Sequence, residues 1–232
     1  DSITAGDGND IIDISTAAFA TNITAADTIN GGNGNDTIRF TNNNNVDLVT
    51  NAANIANVSG IEILQLNAAG AQTLTMNDLA MGMNDGSTIT VNANTNQAHV
   101  VVASGVLNNS STVNLTASAG VTAVVTYTVG NAIDNLVFNA ADGEITVANS
   151  AYLSATDTVT GGSSVNDGIT FSSDIATTID TTAASHAMLG VTGVETMTVN
   201  TTDATVAADY VLTLGDAFVA ATGQETAFAL KW

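Results

Sequence analysis

Residues 1–12 (DSITAGDGNDII) and 27–38 (DTINGGNGNDTI) share one pattern, D-x-Φ-x-(A/G)-G-x-G-x-D-x-Φ, with Φ an aliphatic residue. The pattern demands a tight turn followed by a short strand. Gly6, Gly8, Gly32 and Gly34 open backbone conformations closed to other residues and leave carbonyl oxygens exposed. Asp10 and Asp36 add hard anionic oxygens of the kind a calcium ion gathers in its shell of about six to eight ligands. The aliphatic residue that follows points inward. Asp10 and Asp36 lie 26 residues apart, as do Asp1 and Asp27. A constant interval is the mark of a coiling chain, which brings both turns to the same edge, one above the other. The expected site is a calcium ion between Asp10 and Asp36 that shares carbonyls of the four glycines. Asp1 and Asp27 fall nine residues earlier, in the aspartate slot of a preceding nonapeptide; no glycines precede Asp27, so a second site there is incomplete.

The nine-residue G-G-x-G-x-D-x-U-x repeat resembles that of the RTX family of secreted calcium-binding proteins. The resemblance implies a parallel β-roll with Ca²⁺ in its turns and type I export with a C-terminal signal. It also implies two nonapeptides per turn, with the residues around Ala17–Ala25 as an insertion, and so places Asp1 and Asp27 on the opposite edge from Asp10 and Asp36. A degenerate copy, DTVTGGSSVNDGITF, occupies residues 157–171 with one extra residue and a glycine lost. Either it binds calcium through Asp167 or it keeps only the turn.

A larger repeat encloses these motifs. VSGIEILQLN (58–67) aligns without a gap to VTGVETMTVN (191–200), and Leu74–Asp78 is echoed by Leu212–Asp216. Glu62 and Glu195 set the period at 133 residues, dividing the chain into a first unit, 1–150, and a partial second unit, 151–232, of one continuous β structure. Both glutamates sit between aliphatics just after a glycine. They read as outward-facing residues at a strand start, with metal ligation or pairing across subunits as the alternative. Together, the V-x-G-Φ-E-x-Φ-x-Φ-N strand and the scattered nonapeptides resemble bacterial surface-layer proteins of the RTX-secreted type. In that group calcium orders a β-solenoid and drives assembly of a two-dimensional lattice.

The 232 residues hold 45% hydrophobic residues, enough for a core, but only 4% aromatics. A core of Ala, Val, Ile and Leu beside abundant Thr and Asn favours strands and a narrow interior. Short runs such as Thr88–Asn92, Ala98–Ala103, Thr112–Thr116, Val121–Val129 and Gly143–Ala148 alternate apolar with polar residues. Helix is expected only in short pieces, at 51–57, 77–83 and 183–189. The expected fold is all-β, an irregular parallel β-solenoid or β-roll with calcium turns, with a β-sandwich as the alternative. Proline is absent, in keeping with uninterrupted ladders.

Charge excludes whole classes of partner. Two basic residues, Arg39 and Lys231, oppose 22 acidic ones, a net charge of −20. Phosphate binding needs cations to displace counterions, which rules out nucleic acid and an anionic membrane surface. No segment is apolar enough to span a bilayer, and residues 1–20 lack the pattern of a secretory signal. Without cysteine there are no disulfides or thiolate metal sites, and metal is the natural substitute stabiliser. Since residue 1 already opens a repeat, a fragment of a longer protein is expected.

Enzyme signatures are missing. His99 and His186 are the only histidines, and neither lies in H-E-x-x-H; His99 reads as a packed side chain in an apolar strand. A nucleophile elbow G-x-S-x-G is absent. Asp7 and Asp13 read as solvated neighbours of the main site, with added ligation of its calcium as the alternative. The C-terminal segment 228–232 reads as a capping strand, part of an export signal, or the cut end of a longer chain.

The expectation is therefore a secreted, cell-surface structural protein that binds calcium and self-assembles, with identical subunits as partners. Any contact with cell-surface polysaccharide would run through parts outside this chain. The alternatives are a repeat region of a large RTX adhesin and the calcium-binding tail of a secreted enzyme.

Overall fold

Alternation of aliphatic with Thr or Asn residues turns one side of each strand inward, and the glycine–aspartate turns then bend the chain back over itself. The computed structural model describes residues 1–15, 19–84, 87–172, 178–180, 188–200, 211–213 and 229–231. The result is a parallel β-solenoid of about seven turns, the architecture expected from the repeats. The sandwich alternative falls because the strands pair in parallel from coil to coil.

The chain begins with β1 (Ser2–Asp7), β2 (Ile11–Ile14) and helix α1 (Phe19–Asn22). Next come β3 (Thr28–Asn33), β4 (Thr37–Phe40), β5 (Val46–Asp47) and α2 (Ala52–Ile55). The third coil holds β6 (Val58–Ser59), β7 (Ile63–Leu66), β8 (Thr73–Asn77), α3 (Asp78–Met81) and a 3-10 turn at Gly82–Asn84. Strand pairs follow: β9 (Thr88–Ala93) with β10 (Val100–Gly105), β11 (Thr112–Ala117) with β12 (Val125–Thr128), and β13 (Ile133–Val137) with β14 (Gly143–Val147). Then come β15 (Thr158–Thr160), β16 (Gly168–Ser172), β17 (Thr178–Asp180), β18 (Val191–Thr192), β19 (Thr196–Asn200), β20 (Val211–Thr213) and β21 (Ala229–Lys231).

These strands stack into three main sheets. A small first sheet holds β1, β3 and β6; the second runs β2-β4-β7-β9-β11-β13-β15-β18; the third runs β5-β8-β10-β12-β14-β16-β19-β21; β17 pairs with β20. Both long sheets continue across residue 150 through the β13–β15 and β14–β16 pairs. Of the expected helices, 51–57 contains α2. The 77–83 helix is α3, started by Asn77, whose side chain accepts the N–H of Leu79 and Ala80. Residues 183–187 and His186 lie outside the described residues, as do Asp216, Phe228 and Trp232.

The core is built of columns, one residue per coil. Inside the second sheet, Ile38, Leu64, Val91, Leu115, Leu136, Val159 and Val191 are successive partners, each almost wholly buried. At about 1.5–3 kcal/mol per buried aliphatic side chain, these columns are the main source of stability. On the outside of the same sheet a polar ladder runs parallel to them. Asn114 Nδ2 donates to Thr90 Oγ1 (3.4 Å), Asn135 Nδ2 to Asn114 Oδ1 (3.0 Å) and Thr158 Oγ1 to Asn135 Oδ1 (2.8 Å).

His99 is fully buried, as a packed side chain should be. The Gln72 N–H donates to its Nδ1 (3.3 Å), and its Nε2 lies 2.9 Å from Thr95 Oγ1, whose hydroxyl donates to the Ala68 carbonyl (2.7 Å). Burial holds the imidazole below its ordinary pKa and therefore neutral.

Candidate cation site at the glycine–aspartate corners

The first two repeats stack in register, with Gly6 beside Gly32, Asp7 beside Asn33 and Ile11 beside Thr37. Both motifs thus share one edge, as their 26-residue spacing requires. The coil itself is larger than the two-nonapeptide turn implied by the resemblance. Within that coil α1 lies in the insertion, while residues 16–18 fall outside the described residues.

Gly6, Gly8, Gly32 and Gly34 all have positive φ, from +103° to +140°. At Gly32 and Gly34 a second constraint applies: a Cβ would collide with the carbonyl oxygens of Gly6 and Gly8 in the preceding coil. We expect Gly32→Ala to cost at least about 2–3 kcal/mol, from left-handed strain plus the lost approach between coils. Urea unfolding of the variant measures it, and an unchanged midpoint would show that the turn can relax.

The aspartates form a ladder that the motif alone does not reveal. Asp36 is fully buried, and its Oδ1 accepts the Asp10 N–H from the preceding coil (2.8 Å). In turn the Asp36 N–H donates to Glu62 Oε2 of the following coil (2.7 Å), while the Glu62 N–H returns to the Asp36 carbonyl (3.1 Å). Glu62 is therefore the next rung of the corner, not an outward-facing residue. The second oxygens of Asp10 and Asp36 are buried without a hydrogen-bond partner. Asp36 Oδ2 lies against Gly31, where any side chain would strike it.

The neighbouring acids have separate duties. Asp13 is not merely solvated: it holds Arg39 through two bonds of 2.5 and 2.6 Å, which keep its carboxyl below the ordinary range. Asp7 accepts from Asn33 Nδ2 (2.8 Å). Asp27 accepts the Thr24 N–H and hydroxyl, both at 2.8 Å, and an amino contact from Asp1. Asp1 and Asp27 thus close the turn entering β3.

The later copy reproduces this corner closely. Asp167 Oδ1 accepts the Gly143 N–H (2.5 Å), the Asp167 N–H donates to Glu195 Oε2 (2.9 Å), and Asp167 Oδ2 is again buried and unpartnered. Glu195 is only 8% exposed, so it too is a rung of the corner. Gly161 stands to Asp167 as Gly31 stands to Asp36. Burial, with Glu195 and Asp142 nearby, pushes Asp167 up to about 7.

A further copy escapes the sequence pattern. Asp134 lies 133 residues after Asp1, and its N–H donates to Asp157 Oδ1 (2.8 Å) as the Asp1 amino group donates to Asp27. Asn139 replaces Gly6 and is the one described non-glycine residue with positive φ, +56°. Its carbonyl meets Gly162 as that of Gly6 meets Gly32. Only the Asp134–Gly143 spacing of nine residues hints at this copy, because its glycines have gone. Asp134 occupies an inward position beside Val113, fully buried, with Oδ1 accepting the Tyr127 hydroxyl (2.5 Å) and Oδ2 unpartnered. Burial, only partly offset by that hydroxyl, pushes its carboxyl up to about 8.

The duplication is also rotated around the solenoid. In the first copy the turn links the first sheet to the second (β3 to β4); in the later one it links the second sheet to the third (β15 to β16).

Chemically the first corner suits a hard cation. Among the described residues every buried side-chain oxygen or nitrogen without a hydrogen bond is an aspartate Oδ2: Asp10, Asp36, Asp134 and Asp167. Asp10 and Asp36, with the carbonyls of the stacked glycines, are the residues that would hold calcium, which would there supply positive charge between coils. No three His, Asp or Glu side chains converge as a metal cluster among the described residues, so most of such a shell falls to backbone oxygens. None of the helices among the described residues is long and apolar enough to cross a membrane. Comparison with protein-family models, curated proteins and solved structures finds no match to this chain.

Proposed function

We propose that this chain is a calcium-dependent structural protein of the bacterial cell surface, which assembles with identical subunits into a surface layer or a similar extracellular lattice. One observation carries the reading: the buried, unpartnered oxygens of Asp10 and Asp36, on successive coils whose glycine turns stack in register. A net charge of −20 with two basic residues supports it, since cations are needed to relieve the repulsion. So do the RTX-like nonapeptides and the recurring glutamate strand.

The mechanism is coupled folding. Where calcium is scarce, carboxylate repulsion loosens the coils and keeps the chain exportable. Outside the cell, calcium neutralises the corner, and its binding free energy becomes folding free energy. The purified chain should gain β-sheet circular dichroism with calcium and form sheets or filaments by electron microscopy, both reversed by chelator. A monomer folded identically in either condition would overturn the proposal.

A further inference from the structure

The outer face of the third sheet is, like that of the second, nearly free of charge in this acidic molecule. Thr75, Val102, Thr128, Thr146, Thr170 and Thr198 stand in one rank, each the register partner of the next. The adjacent rank starts with Thr73, Val100 and Thr126 and contains Glu144. Between β8 and β19 Glu144 is the only ionisable outward-facing side chain of the sheet. On the second sheet the Asn and Thr side chains bond one another along the ladder. By contrast, the hydroxyls of Thr75, Thr128, Thr146, Thr170 and Thr198 make no side-chain hydrogen bond among the described residues. They form a regular, uncharged rank beside that of Glu144, with hydroxyls that bond no other side chain among the described residues.

We infer that this threonine face is the contact surface between copies of the chain, packed face to face about a two-fold axis. The inference rests on the self-assembly reading and adds where the copies meet. Charge selects the occupant: a second copy carrying −20 is repelled by acidic surface, whereas this face offers it threonine and valine. A two-fold axis makes such a patch self-complementary, and identical ranks of small side chains interdigitate closely. Saccharide stacking would call for aromatic rings, and this face has none. Six strands present roughly 30 by 15 Å, so a pair buries roughly 900 Å² in all, the scale of a weak contact. Such a contact becomes firm only when repeated through a lattice.

The test compares the wild type, the double variant T128E/T170E and E144T by sedimentation velocity and electron microscopy in calcium. Circular dichroism establishes folding in each case. The double variant should associate at least tenfold more weakly while keeping its calcium response, and E144T should associate more tightly. If E144T is unchanged, or the double variant assembles like wild type, the threonine face is not the contact, although self-assembly itself stands. A wild type that stays monomeric at every calcium concentration overturns the self-assembly reading instead. Should the double variant misfold, E144T alone decides, since removing a surface charge leaves the core intact. Assembly unchanged but polysaccharide binding lost in the double variant would give the face to another partner and overturn the inference.

Discussion

Asp36→Ala should lose both the calcium response and about 2–3 kcal/mol of stability measured in chelator. The second loss follows because the partly buried Asp10 N–H is left without the Asp36 oxygen that accepts it. The paired variant Asp36→Asn separates the two roles. Its amide oxygen can still accept the Asp10 N–H and it carries no charge to repel its neighbours, so stability in chelator should be no lower than wild type, while the calcium-dependent gain should fall sharply for want of the charge. Thermal melting of the three proteins, with calcium and with chelator, checks both statements. An Asp36→Asn protein with the full calcium gain would show that the ion does not use this carboxylate. Equal chelator melting of Asp36→Ala and wild type would show that the ladder bond is dispensable.

Raising the pH from about 4 to about 8 in chelator should destabilise the protein, and Asp134→Asn should remove much of that effect. The folded-state carboxyl of Asp134 is raised to about 8 and that of Asp167 to about 7, against an ordinary value of 3.8. In this window the folded chain holds protons that the unfolded chain has released. Stability is therefore fully present below about pH 4 and is lost as the pH climbs through the folded values. An asparagine at 134 keeps an acceptor for the Tyr127 hydroxyl and never ionises. Its melting temperature at pH 8 should exceed that of wild type by several degrees, with little difference at pH 4. Parallel pH profiles for the two proteins would contradict the assignment of Asp134 as the buried acid.

Much of this architecture is legible in the sequence. The 26-residue interval between Asp10 and Asp36 predicted stacked turns on one edge, and the register of Gly6 with Gly32 shows them. The alternation in Thr88–Asn92 and Thr112–Thr116 predicted strands with one buried side. What the pattern could not show was the direction of the carboxylates. Nothing local to V-x-G-Φ-E says that Glu62 and Glu195 reach back to the N–H of an aspartate more than 25 residues earlier. The Asp134 copy was hidden for a related reason. Its turn survives through Asn139 at positive φ and through contacts between coils, and its glycines do not.

The period, the inward and outward faces of the strands, the tight glycine turns and the excess of acid all follow from local conformational freedom and from composition. How those pieces serve one another depends on the stacking of the coils. Stacking turned an exposed aspartate motif into a buried ladder, rotated the duplicated unit by one sheet, and gathered the threonines of separate coils into one face. Such properties arise between coils, where parallel pairing places residues 18 to 33 positions apart side by side, beyond the reach of any local pattern.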